Sequence, residues 1–214
     1  MRVGVLHTVP ALVPVFHALL TERRSDLDIV HTADPALLRH AIEDGIDEAV
    51  STALRGHLRA LAEAGARAVL VTCSSIGEAA LAAAPENGVR VVRVDAAMAD
   101  EAIARARRGT GRVLVLATLA ATLGPTTRLV QAAAAGEAIE ISAHVVADAA
   151  SALSGGDQAR HDRLVAEAIA SAGAVDAIVL AQASMATGAG DDDRVFTSPL
   201  SGSTAFVDSL GAFA

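Results

Sequence analysis

The sequence predicts an α/β fold of two similar lobes, each a parallel sheet flanked by helices, and three observations carry that reading. Short β-branched apolar runs alternate with helical segments along the 214 residues, the pattern of strands buried on both faces beneath crossover helices. The second half repeats the first, since Arg2-Val3, Val5-Leu6, Thr8 and Leu19 recur 110 positions later as Arg112-Val113, Val115-Leu116, Thr118 and Leu129. A second stretch, Ala68 to Ile76, lines up with Ala177 to Met185 at an offset of 109, and two near-equal offsets across unrelated gaps indicate a pseudo-twofold duplication.

Taken in order, Val3 to Leu6 is a strand with His7-Thr8 as its exit loop, and Pro10 to Leu20 has helical spacing, with Pro14 acceptable only in a first turn. Asp28 to His31 is a short second strand. Asp34-Pro35 gives an N-cap followed by proline at the first helical position, and Gly45 divides that helix from a longer one running to about Ala64. Ala68 to Val71 reads as a buried strand, Glu78 to Ala84 as a helix stopped by Pro85, Val89 to Val94 as a strand, and Asp95 as the cap of a helix ending near Arg108. Gly109-Thr110-Gly111 is a hinge-like break before the repeat begins, and Ser201 to Phe213 is a last amphipathic helix.

Composition narrows the function. With four Phe and neither Trp nor Tyr, and a net charge of -8, the chain lacks the stacking aromatics and the cationic face of a nucleic-acid binder. All 17 basic residues are arginine, which excludes a Schiff-base or P-loop lysine. One cysteine permits no internal disulfide, and no apolar run has membrane-spanning length, so a cytoplasmic protein without membrane contact is expected. No histidine pair has metal-ligand spacing, Gly155-Gly156 lacks the spacing of a dinucleotide fingerprint, and Asp191-Asp192-Asp193 reads as a solvated loop or, with further carboxylates, a divalent-cation cluster. No cofactor or metal is expected, and Ala- and Leu-rich helices leave room for a homo-oligomer.

The chemistry-bearing residue is Cys73. It ends an apolar strand and precedes a helix, where backbone N–H groups and the helix dipole favour thiolate and predict a pKa below the free value of about 8.5. It is either a base or nucleophile, or a small buried apolar residue. In parallel sheets ligands lie outside the carboxyl ends of the strands, so the duplication predicts a site between the lobes. Four loops would line it: His7-Thr8, Thr72 to Ser75, Thr118 to Thr122, and Gln182 to Ser184. They are rich in hydroxyls and hold no Arg, a neutral pocket for a carboxylate and its enolate.

At these residues the chain resembles the aspartate/glutamate/hydantoin racemase superfamily, which also contains maleate isomerases and arylmalonate decarboxylases. The resemblance spans the whole chain and rests on Val3 to Thr8, Thr72-Cys73-Ser74-Ser75, Leu116-Ala117-Thr118 with Thr122, and Leu180 to Met185. It implies a first lobe of residues 1–95 plus 199–214, a second of 96–198, and a cofactor-independent enzyme acting beside the carboxylate, or hydantoin carbonyl, of a small substrate. Cys73 is then catalytic, with His7, Thr8, Ser74, Ser75, Thr118, Thr122, Gln182, Ala183 and Ser184 binding substrate. Where that family places a second cysteine, this sequence has Gln182, which cannot transfer a proton. A single-cysteine decarboxylase, or a carboxylate-binding protein without catalysis, is therefore the alternative, and His7 is either a replacement base or an ordinary polar loop residue.

Overall fold

The computed structural model describes residues 1–213. They form two compact units, one of Met1–Val94 with the segment from Pro199 onward, the other of Asp95–Ser198. In the first, β1 (Arg2–His7), β2 (Asp28–Ala33), β3 (Ala68–Val71) and β4 (Arg90–Arg93) make a parallel sheet in the order β2-β1-β3-β4. Four helices connect the strands: α1 (Val13–Arg23), α2 (Pro35–Glu43), α3 (Glu48–Glu63) and α4 (Ser74–Ala83). All four β3 residues are buried, as an apolar run in a sheet covered on both faces requires. Leu6, Val69 and Val71 share a core with Leu54, Leu58 and Leu61 of α3 and Ile76 of α4.

The second unit repeats this plan with β5 (Arg112–Ala117), β6 (Glu140–Val145), β7 (Ala177–Leu180) and β8 (Val195–Thr197), again parallel and in the order β6-β5-β7-β8. Its helices are α5 (Ala96–Arg107), α6 (Ala120–Ala133), α7 (Ala149–Ser154) and α8 (Gln158–Ala170). The fold class is thus as the alternating pattern predicts. The helices after the fourth strands are exchanged: α5 follows β4 but belongs to the second unit, while α9 (Ser198–Ser209), which follows β8, belongs to the first from Pro199 on. Arg90 fastens α9 there by donating to the Ser209 carbonyl at 3.2 Å.

Local chemistry explains the boundaries. Asp34 accepts from the Ala36 N–H at 2.9 Å and also bonds His57 of α3 at 2.8 Å, so one carboxylate both starts α2 and ties it to α3. Asp47 and Asp157 cap α3 and α8 in the same way. Asp95 occupies the N-cap of α5 but is fully buried in helical conformation and makes no capping bond with its side chain. Two further expectations change. α4 begins at Ser74, not Glu78, with Cys73 at its N-cap, and Gly77 leaves room for the buried Arg93 side chain against the first turn, where a Cβ would sit 2.7 Å from Nε. Gly109-Thr110-Gly111 is a stapled turn, not a hinge. Asp176 accepts from the Thr110 N–H at 2.9 Å, the Thr110 hydroxyl at 3.0 Å and the Arg112 N–H at 2.8 Å, and lies where a Gly109 Cβ would be. The aspartate run is held by arginines, with Asp192 paired to Arg194 at 2.7 Å and Asp193 to Arg105 at 2.9 Å.

Candidate functional site

Parallel pairing of β1 with β3, Gly4 opposite Val69 and Leu6 opposite Val71, brings the exits His7-Thr8 and Thr72-Cys73 side by side. The Thr72 N–H continues the ladder to the Leu6 carbonyl at 3.0 Å, and the Thr72 hydroxyl lies 3.2 Å from the same carbonyl and 3.0 Å from His7 Nδ1. Cys73 is the N-cap of α4, extended at φ -117° and ψ 116°, and half-buried against the apolar core. The Thr8 hydroxyl, the Ile76 and Ser75 N–H groups and the Ser75 hydroxyl all favour its thiolate, yet burial, the largest influence, outweighs them and pushes the thiol's pKa up. The expectation of a depressed pKa is therefore reversed: the helix terminus is present, but its donors act on a sulfur removed from water.

His7 is fully buried, and both of its nitrogens are engaged, Nδ1 with Thr72 and Nε2 with His31 Nδ1 at 3.0 Å. Burial, then the nearby His31, lowers its pKa to about 4. His7 therefore props the exit from below and offers no ring nitrogen outward, unlike the line of substrate contacts expected from its loop. His31 continues through Nε2 to His17 Nδ1 at 3.1 Å, and His17 is exposed on α1. This row escapes a search for metal spacing along the sequence. Its signal is the β1–β2 register, which sets Val5 opposite His31 and so puts His31 beside His7 on one face of the sheet.

In the second unit Leu114 pairs with Ile178 and Leu116 with Leu180, which juxtaposes Thr118 and Gln182 in the same way. Gln182 Oε1 accepts from the Thr118 N–H at 2.7 Å and its Nε2 donates to the Thr118 hydroxyl at 2.7 Å, so the amide clamps the two exits. Gln182 and Cys73 are both half-buried at matching points of the repeat, whereas Thr122, on the first turn of α6, and Ala183 are buried. Where α4 follows Cys73, only a short 3-10 segment, Ala183–Gly188, follows Gln182 and includes the half-buried Ser184. Its Gly188 packs against α8, 2.9 Å separating a Cβ placed there from the Asp162 carbonyl.

Beside Thr8 lies a groove of about 310 Å³ lined by Pro35, Leu38, Arg39, Ile42 and Glu43 of α2. The exit loops are neutral, as their composition implies, but α2 adds the exposed Arg39 to the rim, a residue that no loop motif indicates. Among the described residues no group of three or more His, Cys, Asp or Glu side chains is arranged to hold a metal ion, and no helix is long and apolar enough to cross a membrane.

Comparison with known proteins follows the same geometry. The family model described as Asp/Glu/Hydantoin racemase matches residues 2–211. Among solved structures, a glutamate racemase isoform from Bacillus anthracis is 15% identical with a TM-score of 0.73, covering 100% of this chain and 82% of its own. The aspartate racemase of Picrophilus torridus is 16% identical with a TM-score of 0.73, covering 98% and 94%. The allantoin racemase of Klebsiella pneumoniae is 21% identical with a TM-score of 0.66, covering 100% and 88%. No curated protein matches the sequence. At these identities the structures establish a shared fold.

Proposed function

Because the chain belongs to the Asp/Glu/hydantoin racemase family, we propose that it is a cofactor-independent isomerase-type enzyme acting through Cys73 on the carbon beside the carboxylate, or hydantoin carbonyl, of a small substrate. The observation that carries this reading is the half-buried thiol at the N-cap of α4, where two backbone N–H groups and the Thr8 and Ser75 hydroxyls favour its charged form. Those donors are the kind that stabilise charge developing on sulfur or on an enolate oxygen. The groove beside Thr8, apolar along Pro35, Leu38 and Ile42 and charged at Arg39 and Glu43, suits the remainder of a small polar substrate.

A two-base racemisation needs a proton-transferring group on each face of the carbon. The repeat matches Gln182 to Cys73, and its amide is engaged with Thr118 through Oε1 and one N–H. This favours, as a second reading, a single-cysteine lyase. Loss of carbon dioxide leaves its bonding electron pair on carbon as a carbanion, and Cys73, kept protonated by burial, donates the one proton required. The thiolate so formed regains a proton from water.

The test is to offer each enantiomer of aspartate, glutamate and allantoin, and an arylmalonate, to wild type and Cys73→Ala in deuterated water. Optical rotation, the α-proton NMR signal and carbon dioxide release are followed together. Turnover in one class, abolished in Cys73→Ala, is expected. Turnover that survives in Cys73→Ala overturns the assignment, and ligand-induced thermal stabilisation without any exchange favours a carboxylate-binding protein.

A further inference from the structure

Beneath the Cys73 turn lies a feature that the proposed chemistry does not use. His17, His31 and His7 form a continuous hydrogen-bonded row from the exposed face of α1, through β2, to the buried end of β1, where His7 meets the Thr72 hydroxyl. We propose that these three rings form one proton-binding unit that takes up a single proton and places a single positive charge beneath the Thr72–Cys73 turn, in addition to the fixed charge of Arg93, whose side chain lies against Gly77 of α4.

The donor order supports a unit of this kind. A neutral imidazole has one donor and one acceptor nitrogen, so a row of three is satisfied in either of two opposite arrays. With the Thr72 hydroxyl donating to the Leu6 carbonyl, every ring carries its proton on Nδ1 and points it inward, leaving His17 Nε2 free to accept from water. With the hydroxyl donating to His7 instead, every ring carries its proton on Nε2. One added proton also satisfies the whole row. A protonated His31 donates from Nδ1 to His7 Nε2 and from Nε2 to His17 Nδ1, His7 donates to Thr72, and His17 turns its N–H to solvent. A new N–H bond forms from a solvent proton and nothing else need leave. A second proton would put two donors nose to nose, so uptake stops at one.

Among the described residues no carboxylate acts on His7 or His31. His7 feels burial and His31, and His31 feels burial and His17. On β2, Asp28 is paired with Arg2 at the far end of the strand, and Asp34 just beyond the strand is engaged by His57. Phe16 of α1 covers the His7 ring, with centroids 5.8 Å apart. Burial and mutual repulsion both place the midpoint below the ordinary imidazole value of about 6.5.

The experiment uses the whole 15N-labelled protein and follows the imidazole nitrogens from pH 4 to 8. In wild type the three rings should move together through one shared midpoint. His31→Gln keeps a donor and an acceptor between its neighbours but cannot hold the proton, so the wild-type midpoint should vanish and His7 should titrate by itself at a different pH, relieved of the repulsion from His31. His17→Gln, altered only at the exposed end, should shift the midpoint of the remaining pair and guards against misfolding at the half-buried position. The charge is read at Cys73 with iodoacetamide: the ratio of the wild-type alkylation rate to that of His31→Gln should rise about threefold as pH falls through the midpoint. Separate midpoints in wild type, or His7 and His17 curves unchanged by His31→Gln, overturn the unit. A shared midpoint with a flat alkylation ratio overturns the charge supplied to the turn. Neither arm requires turnover, so failure of the proposed enzymatic reading leaves this test intact.

Discussion

Lowering the pH should weaken the fold in a window set by His7. Its folded pKa is about 4, lowered first by burial and then by His31, while the unfolded chain has the ordinary imidazole value of about 6.5. Between these values the unfolded state binds more protons, so stability rises with pH. The contribution is fully present above pH 6.5, falls as pH drops below that value, and is exhausted below about pH 4. A difference of roughly 2.5 units at 1.36 kcal/mol each amounts to about 3 kcal/mol, of which about 2 to 3 kcal/mol is lost by pH 4.5. His31, whose pKa is also lowered, acts with the same sign. Carboxylates lose their contribution at lower pH: Asp192, held near 2 by Arg194, weakens the fold only below the ordinary aspartate range. Glu101, pushed up by burial and Asp100, works the other way and offsets part of the loss. Urea unfolding at pH 7, 6, 5 and 4.5 and constant ionic strength measures the slope. His7→Gln, which keeps hydrogen bonds to Thr72 and His31 but does not titrate, should start less stable and decline less. Wild-type stability constant within about 0.5 kcal/mol from pH 7 to 4.5, or a parallel decline in His7→Gln, refutes the reasoning.

The remaining predictions concern the two matching exits. Alkylation of Cys73 should follow a thiol titrating above the free-cysteine value of about 8.5, and Thr8→Val, which removes a hydroxyl facing the sulfur, should move that inflection higher still; rapid reaction at pH 7 contradicts both. Gln182→Leu and Gln182→Cys each strip the buried Thr118 N–H of its acceptor and should cost about 1 to 3 kcal/mol by urea unfolding. Gln182→Glu keeps that acceptor and should cost less. Equal stability of Gln182→Leu and wild type would show that the clamp contributes nothing.

What could be read from the sequence was whatever depends on neighbours along the chain. Strands such as Ala68–Val71 and Ala177–Leu180 announce themselves because burial on both faces leaves only apolar residues, and Asp34-Pro35 marks a helix start because capping is a local hydrogen bond. The start of α4 was not legible. Thr72 to Ser75 are turn formers, and the reason for a glycine at 77, room for the Arg93 side chain, is a long-range contact. The thiol's environment failed for a related reason: the helix terminus is local, but the burial that opposes it comes from the assembled core. The histidine row and the Gln182 clamp needed strand register, since His31 is 24 residues from His7, and Gln182 is 64 from Thr118.

The two exits show how a duplicated backbone diverges in chemistry. Both place a half-buried polar side chain after the central core strand, and both tie that strand's exit to the neighbouring strand's exit. In the first unit that cross-link is made by Thr72 and His7, one residue earlier, which leaves Cys73 outside it at the amino end of a ten-residue helix. In the second unit alanine occupies the position matching Thr72, so it supplies no hydroxyl, and Gln182 itself makes the link. A side chain that holds two strands together by two hydrogen bonds cannot also exchange protons with a ligand without breaking one of them. Under the function proposed above, moving the structural duty by one residue is what frees the Cys73 exit for chemistry. Placing a proton-transferring group at position 182 requires a side chain that keeps the Thr118 N–H satisfied, and glutamate meets that condition where cysteine does not.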